Sequence, residues 1–212
     1  TLLNELGPAF HTALILNPVL SETQLLRAIV EEFALAGGKG RDRFGCLSLL
    51  NRHLLQVNSA GHDAVLIIDE AQDMPDATLE MTRLLSNLET TSQKLLQIVL
   101  VGQPELRDKL AKPSLRQLAQ RITVRFHLGT MDPRQTRDYI LHRLAVAAGQ
   151  GNPPAVRFDD EAIDEIHRQS LGTPRLVNAI CDKSLLAGYV YKSEVIDRRL
   201  VRLAVGDLKE AG

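Results

Sequence analysis

The chain has 212 residues, 44% hydrophobic and 24% charged, which is ordinary for a globular protein and enough for a sizeable core. A formal net charge of −1 gives no bulk electrostatic case for nucleic acid or an anionic membrane surface. No apolar run reaches the ~20 residues of a membrane span, and Cys46 and Cys181 lack the spacing of a zinc site.

In chain order, "TLLNELGPAF" has no basic region before an apolar block, so it is not a signal peptide, and Leu2, Leu3 and Leu6 have helical spacing. "HTALILNP" over 11–18 predicts a buried strand closed by Asn-Pro. Ser21 with Gln24 three residues on predicts a capping box, and Leu25, Leu26, Ile29, Val30 and Phe33 form the apolar face of the helix it opens. A glycine-rich loop, "AGGKGRDR" over 36–43, precedes a helix carrying Leu47, Leu50, Leu54 and Val57 along one side. Strands are predicted over 64–68 and 96–101, with a helix from Pro75 between them. "RITVRFHL", 121–128, alternates as a fourth strand. Strands separated by helices imply parallel βα units and a doubly wound sheet. From Thr136 only helical patterns follow, over 136–148, 159–169, 174–190 and 195–208. The expected organisation is an α/β core over 1–130 and an all-helical domain over 131–212.

In open α/β sheets the functional crevice lies beyond the carboxyl ends of the strands. "AVLIIDEAQ" puts Asp69 and Glu70 at such an end. Asp69 can hold magnesium through water, because that ion keeps several waters and prefers oxygen ligands. Glu70 can orient or polarise a water attacking a γ-phosphate. Acids opening a helix near its positive dipole end offer a plainer account. Gln103, after the next strand, can bond to the γ-phosphate or the water, although a "GQP" turn also explains it. Arg121 can reach a neighbouring subunit's phosphates, or make a surface ion pair. In "GTPR" Arg175 projects from a helix N-terminus, a poor place for a cation unless it meets an anion. Arg198, Arg199 and Arg202 read as a solvated helix face. His53, His62, His127, His142 and His167 show no ligand pairing, which argues against a metal enzyme.

The order of "VLIIDEAQ", "LLQIVLVGQPELRDKL", "LRQLAQRITVRFHL", "MDPRQTRDYILHRL" and "GTPRLVNAICDKSLLAGY" resembles the AAA+ ATPases, most closely the general secretion pathway protein A branch of type II secretion. The resemblance implies Walker B at Asp69 and Glu70, sensor 1 at Gln103, the arginine finger at Arg121 and sensor 2 at Arg175. It implies ATP and magnesium as ligands, a homo-oligomer, and a cytoplasmic ATPase of an inner-membrane protein. It also implies a membrane-bound secretion partner, and peptidoglycan reached through a domain downstream of this sequence. Two reduced, packed thiols fit that compartment.

A P-loop needs G-x-x-x-x-G-K-[ST], and no such run is present. Lys39 follows a helix and has no Ser or Thr after it, so "AGGKGRDR" reads as a loop. In the family a helix like "TLLNEL" follows the P-loop directly, so the expectation is a P-loop NTPase-like parallel sheet lacking its first strand and its Walker A. A chain so placed would bind ATP poorly alone. Two alternatives remain at this stage: a transposition-type AAA+ regulator acting on DNA, and a non-catalytic interaction module.

Overall fold

A computed structural model of the chain describes residues 7–37, 40–91, 93–149 and 151–210. The helical spacing of Leu2, Leu3 and Leu6 and the loop residue Lys39 lie outside these. Two compact units divide the chain, Thr1–Arg125 and Phe126–Gly212.

The first unit is a three-stranded parallel sheet with helical crossovers. It runs β1 (Phe10–Ile15), α1 (Glu22–Glu32), α2 (Arg43–Ser59), β2 (Asp63–Ile68), α3 (Asp76–Leu85), β3 (Gln97–Leu100), α4 (Pro104–Leu110) and α5 (Arg116–Arg121). The strands lie in the order β1-β2-β3, with Ile15 beside Ile68 and Ile68 beside Leu100. Parallel neighbours cannot be joined by a tight hairpin, which is why each crossover carries helices.

Local chemistry starts α1 where the sequence predicts and caps α2 as well. At α1 the Gln24 N–H donates to Ser21 Oγ (3.4 Å) and the Ser21 N–H to Gln24 Oε1 (2.8 Å). At α2 Asp42 Oδ1 takes the Gly45 N–H at 2.8 Å. One sheet face, through Ala13, Ile15, Ala64, Leu66 and Ile68, packs on Leu25, Leu26, Ile29, Leu50, Leu54, Leu79 and Leu85. Each fully buried aliphatic side chain here contributes about 1.5–3 kcal/mol.

The sheet ends at β3, where Val99 and Val101 are 38% and 43% exposed. The predicted fourth strand does not form. Helix α5 runs through Arg121, and 122–130 has no strand structure. Val124, Phe126 and Leu128, the apolar half of the alternation, are more than 80% exposed. Alternation prescribes which side chains a strand would bury, but a ladder also needs a neighbouring strand to take its N–H and C=O groups. Among the described residues none is paired with this segment.

The second unit runs α6 (Pro133–Ala148), β4 (Arg157–Phe158), α7 (Asp160–Ser170), α8 (Pro174–Val190), β5 (Val195–Ile196) and α9 (Arg198–Glu210). It is helical as expected except for a short parallel ladder pairing Arg157 with Val195 and Phe158 with Ile196. Two-residue strands are too short to show a period of 2, so the last helix starts at Arg198 rather than at 195. The ladder delivers Phe158 and Ile196 to a core that includes Ile140, Ile163, Ile166, Val177, Ile180 and Leu200. Asp132 and Gln135 close a second capping box at α6.

Glu165 is buried in α7, and Arg168, Arg198 (3.0 Å) and Arg202 (3.6 Å) surround its carboxylate. Arg199 lies over the Tyr191 ring. The basic run at the start of α9 is therefore not a plain solvated face: two of its arginines neutralise an acid of α7.

Candidate functional site

Backbone bonds fix the end of β2 before any side chain acts. The Asp69 N–H donates to Ile15 O (2.9 Å), the Val101 N–H to Ile68 O (2.8 Å), and the Ala71 N–H to Val101 O (2.9 Å). The chain turns within this clamp by taking Glu70 into the left-handed region, φ 50°, which few residues other than glycine and asparagine adopt. Such a conformation persists only where the surroundings over-determine it, and here the bonds to both neighbouring strands do so. Glu70 is thereby exposed while Ala71 is buried.

Asp69 is half-buried, and its Oδ1 accepts the Glu70 N–H at 2.9 Å. Glu70 Oε2 accepts from Gln72 Nε2 (2.7 Å) and from Gln103 Nε2 (3.3 Å). The Gln103 N–H donates to Gln72 Oε1 at 3.1 Å. Glu70 and Gln103, thirty-three residues apart, thus meet at one end of the sheet. Gly102 makes the approach possible: a Cβ there would stand 2.7 Å from Gln72 Oε1. Lys109, reaching from α4, donates to Gln72 O (2.8 Å) and to Met74 O, and so holds the short 3-10 turn Ala71–Asp73 against α4.

Among the described residues no group of three His, Cys, Asp or Glu side chains could enclose a metal by itself. Asp69 Oδ1 is engaged by the Glu70 N–H, and its other carboxylate oxygen could take a water of an oxygen-seeking ion such as magnesium, which uses one or two carboxylates and keeps most of its waters.

Arg121 stands apart from this cluster. Arg121 is exposed at the last turn of α5. Its charge is felt at Glu89, whose carboxyl lies below its ordinary value chiefly through the Lys94 hydrogen bond and charge, with Arg121 adding a smaller pull. Glu89 and Lys94 flank the turn that leads into β3, the end of the sheet opposite Asp69. Within one chain, then, Arg121 is not brought to the acid pair. Arg175 lies in the second unit, exposed in the first turn of α8, without an ion-pair or hydrogen-bond partner among the described residues. Its position depends on Gly172, φ 72°, whose carbonyl accepts the Met131 N–H at 2.9 Å.

Sequence reading missed two features here. Gln72 was legible only as part of the "DEAQ" string. Its hint was Gly102, since a glycine at a strand end often marks a close approach. The histidines of the first unit also pair. His11 Nε2 lies 3.3 Å from His62 Nδ1, and His11 and His53 rings meet edge-on at 5.8 Å. Burial and the neighbouring His11 charge push the His53 imidazole below its ordinary value. Cys46 is buried and Cys181 half-buried, and burial with the adjacent Asp182 pushes the Cys181 thiol up to about 12. Both behave as packed thiols, as expected.

A sheet with acids after one strand and an amide after the next defines an ATPase-type core, and comparison with known proteins agrees. A family model described as an AAA domain matches residues 1–110. The chain belongs to the AAA domain family. Over its whole length it is similar to General secretion pathway protein A of Aeromonas hydrophila, 42% identical over 214 residues, and it spans 38% of that protein. The resemblance read from the motifs is borne out. Among solved structures, the Aeropyrum pernix ORC2 protein in its ADP form superposes with a TM-score of 0.70 at 14% identity, covering 97% of this chain and 55% of that one. The Thermotoga maritima RuvB Holliday junction branch migration motor gives 0.54 at 20% identity, covering 93% and 61%. At these identities the likeness is one of fold, and it supports the expected α/β sheet followed by a helical unit.

Proposed function

We propose that the first unit is the Walker B and sensor 1 half of a magnesium–ATP site, and the second its helical lid. The observation that carries this reading is the meeting of Glu70 and Gln103 beside Asp69 at the carboxyl end of a parallel sheet. In this reading Asp69 holds magnesium through water, and that ion would neutralise phosphate charge. Glu70 orients and accepts a proton from the attacking water, and Gln103 meets the γ-phosphate. Arg175 contacts bound phosphate from the lid. Arg121, remote from its own acids, serves a neighbouring copy, which makes the working form a homo-oligomer.

The motif of a phosphate-binding loop, G-x-x-x-x-G-K-[ST], is not found in the 212 residues, so the proposed site lacks that part. The similarity to General secretion pathway protein A along the whole of this chain supports ATPase work in a secretion system. There it would act on the cytoplasmic side of the inner membrane with a membrane-bound partner, assembling the secretin across peptidoglycan. No described helix is long and apolar enough to cross a membrane.

Calorimetric titration with magnesium–ATP tests the division of the site. The 212-residue chain should show little heat, and a protein that also carries the upstream loop should bind. Tight binding by the chain as it stands would overturn the division.

A further inference from the structure

We infer that Gln72 is a positioning residue that ties the Glu70 carboxylate to the Gln103 end of β3. The inference rests on the proposed roles of Glu70 and Gln103. Gln72 is bonded at both ends of its amide: Nε2 donates to Glu70 Oε2 at 2.7 Å, and Oε1 accepts the Gln103 N–H at 3.1 Å. A carboxylate can only accept and a backbone N–H only donate, so one orientation of the amide satisfies both. The backbone beneath it is equally fixed, through Lys109 at Gln72 O and through Ala71 at Val101 O. The bare Cα of Gly102 leaves the space that Oε1 occupies.

This geometry has a consequence for turnover. In the structure two amides share Glu70 Oε2, the shorter bond from Gln72 and the longer from Gln103. Gln103 Nε2 carries two N–H donors, and a side chain that turns one of them to a phosphate oxygen loosens its already longer bond to Glu70. Gln72 then keeps the carboxylate aimed, while its other end registers where the Gln103 backbone sits. A residue holding the base in this way affects the chemical step more than nucleotide affinity.

The test separates the two ends of the amide. Gln72→Ala removes both bonds, whereas Gln72→Glu keeps an acceptor for the Gln103 N–H and removes the donor to Glu70. In the intact protein Gln72→Ala should lower kcat about tenfold, the loss of one charge-assisted hydrogen bond, and Gln72→Glu, which also faces Glu70 with a second negative charge, should lower it at least as far, both leaving KM for ATP within about twofold. In the 212-residue chain, amide hydrogen exchange at Gln103 should quicken in Gln72→Ala and stay as in the parent in Gln72→Glu. Wild-type kcat in Gln72→Glu, or unchanged Gln103 exchange in Gln72→Ala, would overturn the inference. Glu70→Gln serves as the reference: if it retains full turnover, the site reading itself fails, whatever the Gln72 variants do. Melting temperatures identify a variant that has not folded, and the isosteric Gln72→Glu then carries the test.

Discussion

Gly172 shows how a single position can govern a functional side chain at a distance. Its φ of 72° suits glycine, and an added Cβ would lie 1.9 Å from Met131 O. No rotamer relieves a clash with backbone. Gly172→Ala should therefore destabilise the second unit by about 2 kcal/mol or more, seen as a lower denaturant midpoint. Unchanged stability would mean that the Met131–Gly172 approach is not a real constraint. Arg175 follows three residues later, so the same substitution should also displace the cation proposed to meet phosphate. The motif "GTPR" thus contains two separable demands, one steric and one electrostatic. Sequence alone made the second visible, because a cation at a helix N-terminus is out of place. The first needed the fold, since Met131 and Gly172 are joined only by tertiary pairing.

At the scale of elements, what was legible depended on the range of the forces involved. Capping at Ser21 and the turn before α8 follow from a few adjacent residues, and these helix starts agree with expectation, whereas α6 begins at Pro133, three residues before the expected Thr136. Pairing is a long-range matter, and there the reading was incomplete. Residues 121–128 have the alternation of a strand but no described neighbour, and the two-residue strands β4 and β5 have a neighbour but no room for alternation. Glu165 escaped notice for a similar reason. On α7 it reads as one more surface acid, yet α9 and α7 together place three guanidinium groups around it. Burial would push its carboxyl up, but the hydrogen bonds from Gln169 and Arg198 and the charges of Arg168 and Arg202 outweigh it. The result is a fall from the ordinary 4.5 to about 2. A depressed folded value means the unfolded chain binds the proton more readily. The stability from this cluster is therefore complete above pH 4.5 and drains away as pH falls toward 2. Melting temperatures over that window should fall more steeply for the parent chain than for Glu165→Gln, which has no proton to gain. Parallel slopes would remove Glu165 from the account of acid stability.

Across the whole molecule, the proposed site residues Asp69, Glu70, Gln103 and Arg175 were legible as candidates because each sits after a strand or in the first turn of a helix. Their assembly was less legible. Glu70 meets Gln103 through a glutamine that the motif string does not single out, and Arg121 lies toward the opposite end of the sheet from both. In the proposed site Glu70 and Gln103 are brought together while Arg121 is not, and Glu70 acts on water at a bound nucleotide. The most direct measurement is ATP turnover and nucleotide binding by the intact protein carrying Glu70→Gln. Binding should survive while turnover falls by about 10² or more, the loss expected of a general base. Turnover at the parent rate, with the nucleotide bound as before, would contradict that role.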